Sequence, residues 1–285
     1  MHNTYTLKTP KDATSCVIFS SPHSGSDYPA SLLATTELDS LAIRSSEDAF
    51  VDELFMDAPS NGAHLLAAHA PRAFIDLNRA ADELDPALIR GVKRAPGNAR
   101  IMAGLGIIPR VVGNGQVIRS GKMQLTEAQE RIAKYYAPYH DCLQNLVGTQ
   151  REAHGMAILL DCHSMPQKSL DAAPLVNKKT PDIILGDRFG ASCDRWLVDL
   201  IAGIFASSGL VVARNAPFSG GFITRHYGRP SKGVHAVQIE INRALYMNEA
   251  RIERADNFGE FQKTLSKVTR LLARIGPVSV AVAAE

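Results

Sequence analysis

The chain has 285 residues, of which 45% are hydrophobic and 21% are charged, and its formal net charge at pH 7 is +2. This length is enough for one large domain with a deep core, and we expect a single domain over residues 1–285. The longest apolar runs fall short of the about 20 residues that cross a bilayer, and no basic tract marks a surface for nucleic acid. Composition and charge therefore argue against a membrane protein and a nucleic-acid partner, and we expect a small-molecule partner.

The amino terminus and the cysteines predict a cytoplasmic protein. The stretch Met1 to Lys11 is polar and lacks the apolar core of a signal peptide. The cysteines are widely spaced and form no C-x-x-C pair, which favours buried thiols over disulfides or a zinc knuckle. They are Cys16, Cys142, Cys162 and Cys193. We expect a monomer or a small homo-oligomer.

Two short apolar runs each end in a His-Ser pair beside a proline. Ser15 to Ser20 leads into Ser-Pro-His-Ser-Gly, and Met156 to Pro166 ends in Asp-Cys-His-Ser-Met-Pro. Both runs are typical of strands that are buried on both faces in a parallel sheet. Open α/β sheets bind their ligands at the carboxyl ends of strands, so we expect His23 and His163 near one site. The alternative is a core strand whose next loop happens to contain a histidine.

The next segment, Ser45 to Asp57, has the apolar spacing of a short amphipathic helix capped by Ser45 or Ser46. Glu47 and Asp48 would lie in its first turn, where acidic side chains interact favourably with the helix dipole. That structural role is one interpretation of these two residues. The other is that one carboxylate turns inward as a third metal ligand.

A third strand is predicted from Ala63 to His69, and the polar residues after it need partners. They alternate with apolar residues and are Arg72, Asp76, Asn78 and Arg79. A guanidinium can hold a carboxylate through two hydrogen bonds, which favours substrate binding. The alternative is a structural ion pair between Asp76 and Arg79.

The remaining elements follow from glycine, proline and periodicity. We interpret Ala80 to Lys122, which is rich in glycine and proline, as an excursion over the sheet edge and a candidate lid. A helix is predicted from Thr126 to Leu146, with a capping box at Thr126 and Gln129 and a kink or break at Pro138. Further elements are strands at Asp182 to Gly186 and Leu210 to Ala213, and helices at Ser192 to Phe205 and about Asn248 to Arg274.

A polar run, Arg214 to Pro230, precedes the strongly strand-like segment Val234 to Arg243. We interpret the run as a loop that carries positive charge. In the strand, alternation puts Gln238, Glu240 and Asn242 on one face. In an edge strand this face would simply be wet. If it lines a cleft, Glu240 is a carboxylate placed for proton transfer.

These residues together supply the groups of a one-zinc amide hydrolase. Such sites hold the metal by three histidine or carboxylate ligands and use a separate carboxylate as the base. His23 and His163 are candidate ligands, and Asp48 or Glu47 offers the third. Glu240 would then activate metal-bound water and pass the proton to the leaving amine. An arginine such as Arg72 would stabilise the oxyanion.

Four motifs together resemble the N-formylglutamate amidohydrolase family. They are Pro22-His-Ser-Gly25, Asp161-Cys-His-Ser-Met-Pro166, Gly220-Gly-Phe-Ile-Thr-Arg-His-Tyr-Gly-Arg-Pro230 and Gln238-Ile-Glu-Ile-Asn-Arg-Ala-Leu-Tyr-Met247. That family is similar in fold to the zinc carboxypeptidases and to the aspartoacylase and succinylglutamate desuccinylase group. The resemblance implies a three-layer αβα fold with a mixed, mostly parallel central sheet, of the zinc-exopeptidase/phosphorylase-hydrolase-like type.

The resemblance also implies roles for single residues. His23 and His163 would bind one Zn²⁺ per chain, and Glu240 would be the general base. Asp76-Leu-Asn-Arg79 matches the Asp-Leu-Asn-Arg motif of those deacylases, which implies that Asn78 and Arg79 bind the amino-acid carboxylate. The distal carboxylate would be held by Arg225 or Arg229.

One position departs from the related enzymes, which have a ligand carboxylate three residues after the first histidine. Position 26 is serine here, and Asp27 is one residue too far. We therefore assign the third ligand to Asp48, with Glu47 second and Asp27 third.

The activity that the resemblance implies is hydrolysis of N-formyl-L-glutamate to formate and L-glutamate, as in histidine degradation. Two alternatives remain open on the same fold. One is a deacylase for another N-acyl amino acid, such as one like N-acetylaspartate, and the other is a carboxylate-binding protein without catalysis. A thiol mechanism with Cys162 is the weakest option, because neighbours on a strand point to opposite sides.

Overall fold

The computed structural model describes residues 4–93, 98–171 and 173–276. The chain forms two compact units that are interleaved along the sequence. The first comprises Met1–Thr6, Pro22–Ala49 and Ala67–Cys142, and the second comprises Leu7–Ser21, Phe50–Leu66 and Leu143–Glu285. The single domain over residues 1–285 stays a prediction.

The described residues contain a seven-stranded sheet and a separate two-stranded one. The strands are β1 (Tyr5–Lys8), β2 (Val17–Ser21), β3 (His64–Ala68), β4 (Ala157–Met165), β5 (Ile183–Gly186), β6 (Val212–Arg214), β7 (Val234–Asn242), β8 (Met247–Asn248) and β9 (Glu253–Arg254). The order in the large sheet is β1-β3-β2-β4-β7-β5-β6. Strand β4 pairs in parallel with β2 and β7, β5 pairs in parallel with β6, and β5 pairs antiparallel with β7.

The two longest strands are buried along their whole length. Every residue of β4 and of β7 is buried, as the unbroken apolar run at the start of β4 predicts. Strand β4 continues through Met165, so His163 lies within the strand and pairs in register with Glu240. The wet-edge interpretation of β7 is wrong, because β7 lies between β4 and β5.

Helices flank this sheet. The α-helices of the described residues are α1 (Ala30–Leu33), α2 (Val51–Leu54), α3 (Ala99–Met102), α4 (Leu125–Arg131), α5 (Ala137–His154), α6 (Arg195–Ser207), α7 (Phe222–Tyr227) and α8 (Phe258–Ala273). Helix α6 packs against α8, β5 and β6. Its apolar stripe, which includes Leu197, Ile201 and Phe205, is fully buried, and each such side chain stabilises the fold by about 1.5–3 kcal/mol. The predicted αβα class with a mixed, mostly parallel sheet is confirmed.

The predicted helix Thr126 to Leu146 is divided as its proline suggests. A π-helical turn, Ile132–Tyr136, separates α4 from α5 just before Pro138. Proline lacks an N–H group and its ring collides with the carbonyl four residues earlier, and a π turn accommodates both effects. The predicted capping box is wrong, because α4 begins at Leu125 and Gln124, its N-cap, makes no side-chain capping bond.

The predicted helix Ser45 to Asp57 is largely wrong. A 3-10 helix ends at Ser46, Glu47 is extended at φ −67° and ψ 141°, and α2 covers only Val51–Leu54. The reason is that the carboxylate of Glu47 is buried and accepts hydrogen bonds from Tyr28 and Arg44. These partners hold the backbone in a conformation that no helix contains.

Two other predicted segments differ from the structure. The loop predicted from Arg214 to Pro230 contains α7. The last helix begins at Phe258, because β8 and β9 form an antiparallel pair where its start was predicted. Within residues 80–122 the structure describes one short helix, α3, and residues 94–97 lie outside the described part. The role of Ala80 to Lys122 as a lid stays a prediction.

Among the described residues, no helix combines the length and apolar character needed to cross a membrane.

Candidate metal centre and substrate-binding residues

His23 lies in the first unit between two carboxylates, and its side chain is 2% exposed. Its Nε2 atom lies 2.7 Å from Oδ1 of Asp76, and its Nδ1 atom lies 3.5 Å from Oδ2 of Asp48. A carboxylate only accepts hydrogen bonds, so Nε2 of His23 donates to Asp76, and this bond selects the tautomer with its proton on Nε2. Nδ1 then has the lone pair that a metal requires.

The distance between His23 and Asp48 fits a bound metal. A lone pair on Nδ1 and a carboxylate oxygen repel one another unless a proton or a cation lies between them. Zinc binds both atom types at about 2.0–2.2 Å, and two ligands of a tetrahedral site then lie about 3.4 Å apart. The 3.5 Å between these two atoms agrees with that value.

His163, in the second unit, repeats the pairing of a histidine with a carboxylate. It lies on β4, two residues after Asp161, so both side chains point to the same face. Nε2 of His163 lies 3.0 Å from Oδ1 of Asp161, and both residues are buried. A carboxylate therefore lies beside the ring of His163, as one does beside the ring of His23.

Within the described part of the chain, a buried group of residues could hold a metal ion, and it consists of His23, Asp48 and His163. These are the three residues that the sequence predicts as ligands. Imidazole and carboxylate donors suit zinc and other first-row divalent metals. The donor set therefore fits the implied cofactor, and the binding of zinc by these residues stays a prediction.

The other two candidates for the third ligand have different surroundings. Both oxygens of Glu47 are engaged, because Arg44 donates to each at 3.0 Å and Tyr28 donates to Oε1 at 2.6 Å. Burial and the neighbouring Glu47 carboxylate raise the pKa of Tyr28, so its hydroxyl keeps its proton and remains a donor. The side chain of Asp27 is 78% exposed. These contacts favour Asp48 over both alternatives.

The carboxylate of Asp76 accepts several hydrogen bonds in the first unit. Besides His23, it accepts from Nε of Arg72 at 3.0 Å and from the backbone N–H of Asn78 at 2.9 Å. Nε of Arg79 lies 3.8 Å from its second oxygen, which is the ion pair considered as an alternative. Burial acts to raise the pKa of Asp76, but the charges of Arg72 and Arg79 and the contact with His23 outweigh it and hold the pKa well below its usual range. The carboxylate is therefore ionised.

The predicted carboxylate-binding residues Asn78 and Arg79 are 4% and 6% exposed. Arg79 donates from Nε to the carbonyl of Leu105 at 2.9 Å and from Nη1 to the carbonyl of Asn78 at 3.1 Å. Burial lowers the pKa of Arg79, and Asp76 partly offsets that effect. The guanidinium is thus fixed in one orientation, as bidentate recognition of a carboxylate requires.

Glu240 lies on β7 in the second unit and is buried, together with Gln238 on the same face. Nε2 of Gln238 donates to Oε1 of Glu240 at 2.6 Å. Sequence reasoning placed Gln238 on this face and gave it no role. The hydrogen bond to Glu240, the predicted base, is the observation that identifies Gln238 as a residue of the site.

The two arginines after the paired glycines are both exposed. Nη1 of Arg229 donates to the carbonyls of Arg225 at 2.7 Å and Gly228 at 2.6 Å, so Arg229 closes the carboxyl end of α7. The guanidinium carbon of Arg225 lies 5.8 Å from the centre of the Phe222 ring. Both arginines stay candidates for binding a carboxylate.

A glycine contact brings the loop before α7 against the sheet. Gly186 pairs in register with Gln238, and a Cβ atom on Gly186 would lie 2.7 Å from the backbone N of Gly220. No side chain fits at that distance. The backbone of Ser219 and Gly220 therefore packs directly on β5, beside the strand that carries Glu240.

Cys162 is unsuited to nucleophilic catalysis. It is fully buried, and its side chain points to the opposite face of β4 from its neighbour His163. Burial, together with the Asp161 carboxylate, raises the pKa of Cys162 well above its ordinary value, so the thiol is neutral.

Comparison with known proteins places the chain among amidohydrolases. A protein-family model described as N-formylglutamate amidohydrolase matches residues 15–247. A curated protein of Pseudomonas putida named N-formylglutamate deformylase is 35% identical over 205 residues, which cover 71% of each chain. One of the same name from Pseudomonas aeruginosa is 31% identical over 236 residues, or 82% of each chain.

A solved structure agrees with these sequences. The crystal structure of N-formylglutamate amidohydrolase from Ralstonia eutropha JMP134 is similar to this chain with a TM-score of 0.88 and 35% identity, covering 95% of this chain and 97% of that one. The family model covers well over half of the sequence, and the resemblance that the four motifs carry is confirmed. The chain belongs to the N-formylglutamate amidohydrolase family.

Proposed function

We propose that this protein hydrolyses N-formyl-L-glutamate to formate and L-glutamate with one divalent metal ion, zinc, as its cofactor. Relatives named N-formylglutamate deformylase support the substrate. The observation that carries the metal is the 3.5 Å separation of two acceptors, Nδ1 of His23 and Oδ2 of Asp48, which a cation would stabilise.

His23, Asp48 and His163 would hold the metal. Asp76 would fix the ring of His23 through its Nε2 atom, and such a carboxylate raises the basicity of the ligand nitrogen. Asp161 lies 3.0 Å from Nε2 of His163 and supplies negative charge beside that ring. When bound, the metal supplies a Lewis acid that polarises the formyl carbonyl and lowers the pKa of water.

Glu240 is the general base in this proposal. Its carboxylate takes a proton from the attacking water and returns it to the nitrogen that leaves with glutamate. The hydrogen bond from Gln238 holds that carboxylate in one orientation. Arg72, whose Nε is fixed by Asp76, stabilises the negative charge that develops on the formyl oxygen.

The charged ends of the substrate need separate partners. Asn78 and Arg79 bind the carboxylate of the amino-acid centre, because the guanidinium of Arg79 is oriented by two backbone carbonyls. Arg225 or Arg229 binds the distal carboxylate, and Arg229 is held at the carboxyl end of α7 by two backbone carbonyls.

The first experiment measures formate released from N-formyl-L-glutamate by the purified protein, then after chelation, and again after zinc is restored. We expect activity to disappear with chelation and to return with zinc. Formate release that survives complete removal of the metal contradicts the metal requirement. Equal rates on N-acetyl-L-aspartate would contradict the assignment of the substrate.

A single substitution tests the role of Glu240 as the general base. Glu240→Gln should bind zinc as the wild type does and lose about 10²–10⁴-fold in kcat. Glu253→Gln, which changes an exposed carboxylate on β9, is the control and should leave kcat unchanged. Full activity of Glu240→Gln would remove Glu240 from the mechanism.

The proposal has four further parts. Zinc is the native metal, the protein takes part in histidine degradation, it is located in the cytoplasm, and it is a monomer or a small homo-oligomer. Metal analysis of the protein as isolated and its mass in solution test the first and the last of these.

A further inference from the structure

Gln238 holds Glu240 with only one half of its amide group. Its NH₂ group donates to Oε1 of Glu240 at 2.6 Å, and both side chains are buried, with Gln238 6% and Glu240 7% exposed. The ionised carboxylate of a general base accepts hydrogen bonds and cannot donate them. The amide must therefore present its nitrogen to Glu240, which fixes where its carbonyl oxygen lies.

That carbonyl oxygen, Oε1 of Gln238, is buried and has no hydrogen-bond partner among the described residues. The residues beside it in register cannot supply one from their side chains, because Asp161 on β4 is a carboxylate and Gly186 on β5 has no side chain. A buried acceptor without a donor costs about 1–3 kcal/mol. The observation points to a donor that comes from outside the chain.

The position of this oxygen limits what the donor can be. Covalent geometry puts the oxygen of an amide about 2.2 Å from its nitrogen, so Oε1 lies within about 5 Å of the Glu240 carboxylate. Glu240, as the base of the proposed function, acts at the nitrogen of the scissile amide. A group that binds next to Glu240 and donates one hydrogen bond is the N–H of that amide.

We propose that Oε1 of Gln238 accepts a hydrogen bond from the scissile N–H of the substrate, while its NH₂ group positions Glu240 for proton transfer to the same nitrogen. This inference rests on the proposed role of Glu240. It makes Gln238 a substrate-binding residue that selects secondary amides. Tertiary amides, which have no N–H, would leave the oxygen without a donor and are rejected.

The test compares two substrates, N-formyl-L-glutamate and N-formyl-N-methyl-L-glutamate, on three proteins. These are the wild type, Gln238→Met, which keeps the size of the side chain, and the control Gln150→Met. Gln150 is also buried, at 2% exposed, and its Oε1 likewise has no partner in the described part of the chain, but it lies on α5. The quantity of interest is the ratio of kcat/KM for the two substrates.

We expect the wild type and Gln150→Met to share one ratio in favour of the N–H substrate. In Gln238→Met the ratio should fall by about tenfold, since the steric effect of the methyl group remains and the hydrogen bond is lost. The kcat for N-formyl-L-glutamate should fall as well, because Glu240 loses its positioning contact. A role in folding alone would lower activity on both substrates equally.

Two results would overturn the inference. One is an unchanged ratio in Gln238→Met, with Gln238→Leu used instead if the first variant does not fold. The other needs no variant, and is equal kcat/KM of the wild type on both substrates. If the wild type releases no formate from either substrate even with zinc, the proposed function fails and the role of Gln238 fails with it. If the wild type does release formate and either of the two results above is found, only the role of Gln238 fails. The two failures are therefore distinguishable.

Discussion

Asp76→Asn should weaken metal binding and folding together, because one carboxylate serves both. In the first unit it accepts from His23 at 2.7 Å, from the backbone of Asn78 at 2.9 Å and from Arg72 at 3.0 Å. Asparagine has the same shape but only one acceptor oxygen. Its NH₂ group would face a donor, and the charges of Arg72 and Arg79 would lose their counter-ion.

The magnitude follows from these contacts. Breaking a buried ion pair by removing one partner costs about 3–5 kcal/mol. The side chain of Arg72 is 27% exposed, so water offsets part of this loss. We expect the free energy of unfolding of the metal-free protein to fall by about 3 kcal/mol. Loss of the carboxylate behind a metal-binding histidine should reduce zinc affinity by about 10–100-fold.

Urea unfolding of the metal-free proteins measures the first quantity, and competition with a chromophoric chelator measures the second. Asp85→Asn is a matched control, because Asp85 is also buried and accepts from Nε of Arg110 at 2.9 Å and from the backbone of Ala87 at 2.7 Å. Among the described residues, the hydrogen bonds and ion pair of Asp85 involve none of the predicted metal ligands. We expect Asp85→Asn to lose stability and to keep the zinc affinity of the wild type.

Two outcomes would refute this reasoning. Equal zinc affinity of Asp76→Asn and Asp85→Asn would mean that Asp76 does not orient His23. A free energy of unfolding within about 0.5 kcal/mol of the wild type would mean that the buried network contributes no more than an ordinary surface group.

Three further predictions concern the second unit. Cys162→Ala should keep the kcat/KM of the wild type and lose about 1–2 kcal/mol of stability, because the thiol fills space in the core and takes no part in catalysis. Gly186→Ala should raise KM and lower the unfolding temperature, since its Cβ would lie 2.7 Å from the facing backbone, whereas Gly203→Ala, which meets nothing within 4 Å, should be neutral or stabilising. The fluorescence of Trp196, the only tryptophan, should titrate with a midpoint below pH 6.5 and should stop doing so in His235→Gln. The two rings lie 6.3 Å apart, and burial lowers the pKa of His235, so the ring stays neutral until the pH falls below its ordinary pKa.

The sequence predicts best where local pattern and tertiary environment agree. The apolar run before Asp161 and the alternation around Glu240 identify β4 and β7, because strands in the middle of a sheet need such residues. His163 and Glu240 could be expected together for the same reason, since each lies near the carboxyl end of its strand. Their register confirms that they are direct neighbours across the sheet.

The rest depends on partners that are distant in sequence. Glu47 has the local pattern of a helix start, and Tyr28, nineteen positions away, holds it in an extended conformation. The motif around Asp76 offers an ion pair with Arg79 as one interpretation, yet the shortest contact of Asp76 is with His23, 53 positions away. Periodicity carries no information about such pairings, and only the fold brings them together.

The contact at Gly186 has a use in reading other sequences. An alanine or larger residue at this position would collide with the backbone of Ser219 and Gly220, so a chain that carries one must route that loop differently. The identity of this single residue is therefore a marker for whether the following glycine-rich motif can adopt the conformation seen here. A match to the motif alone, without glycine on the neighbouring strand, would be a poor guide to the shape of the loop.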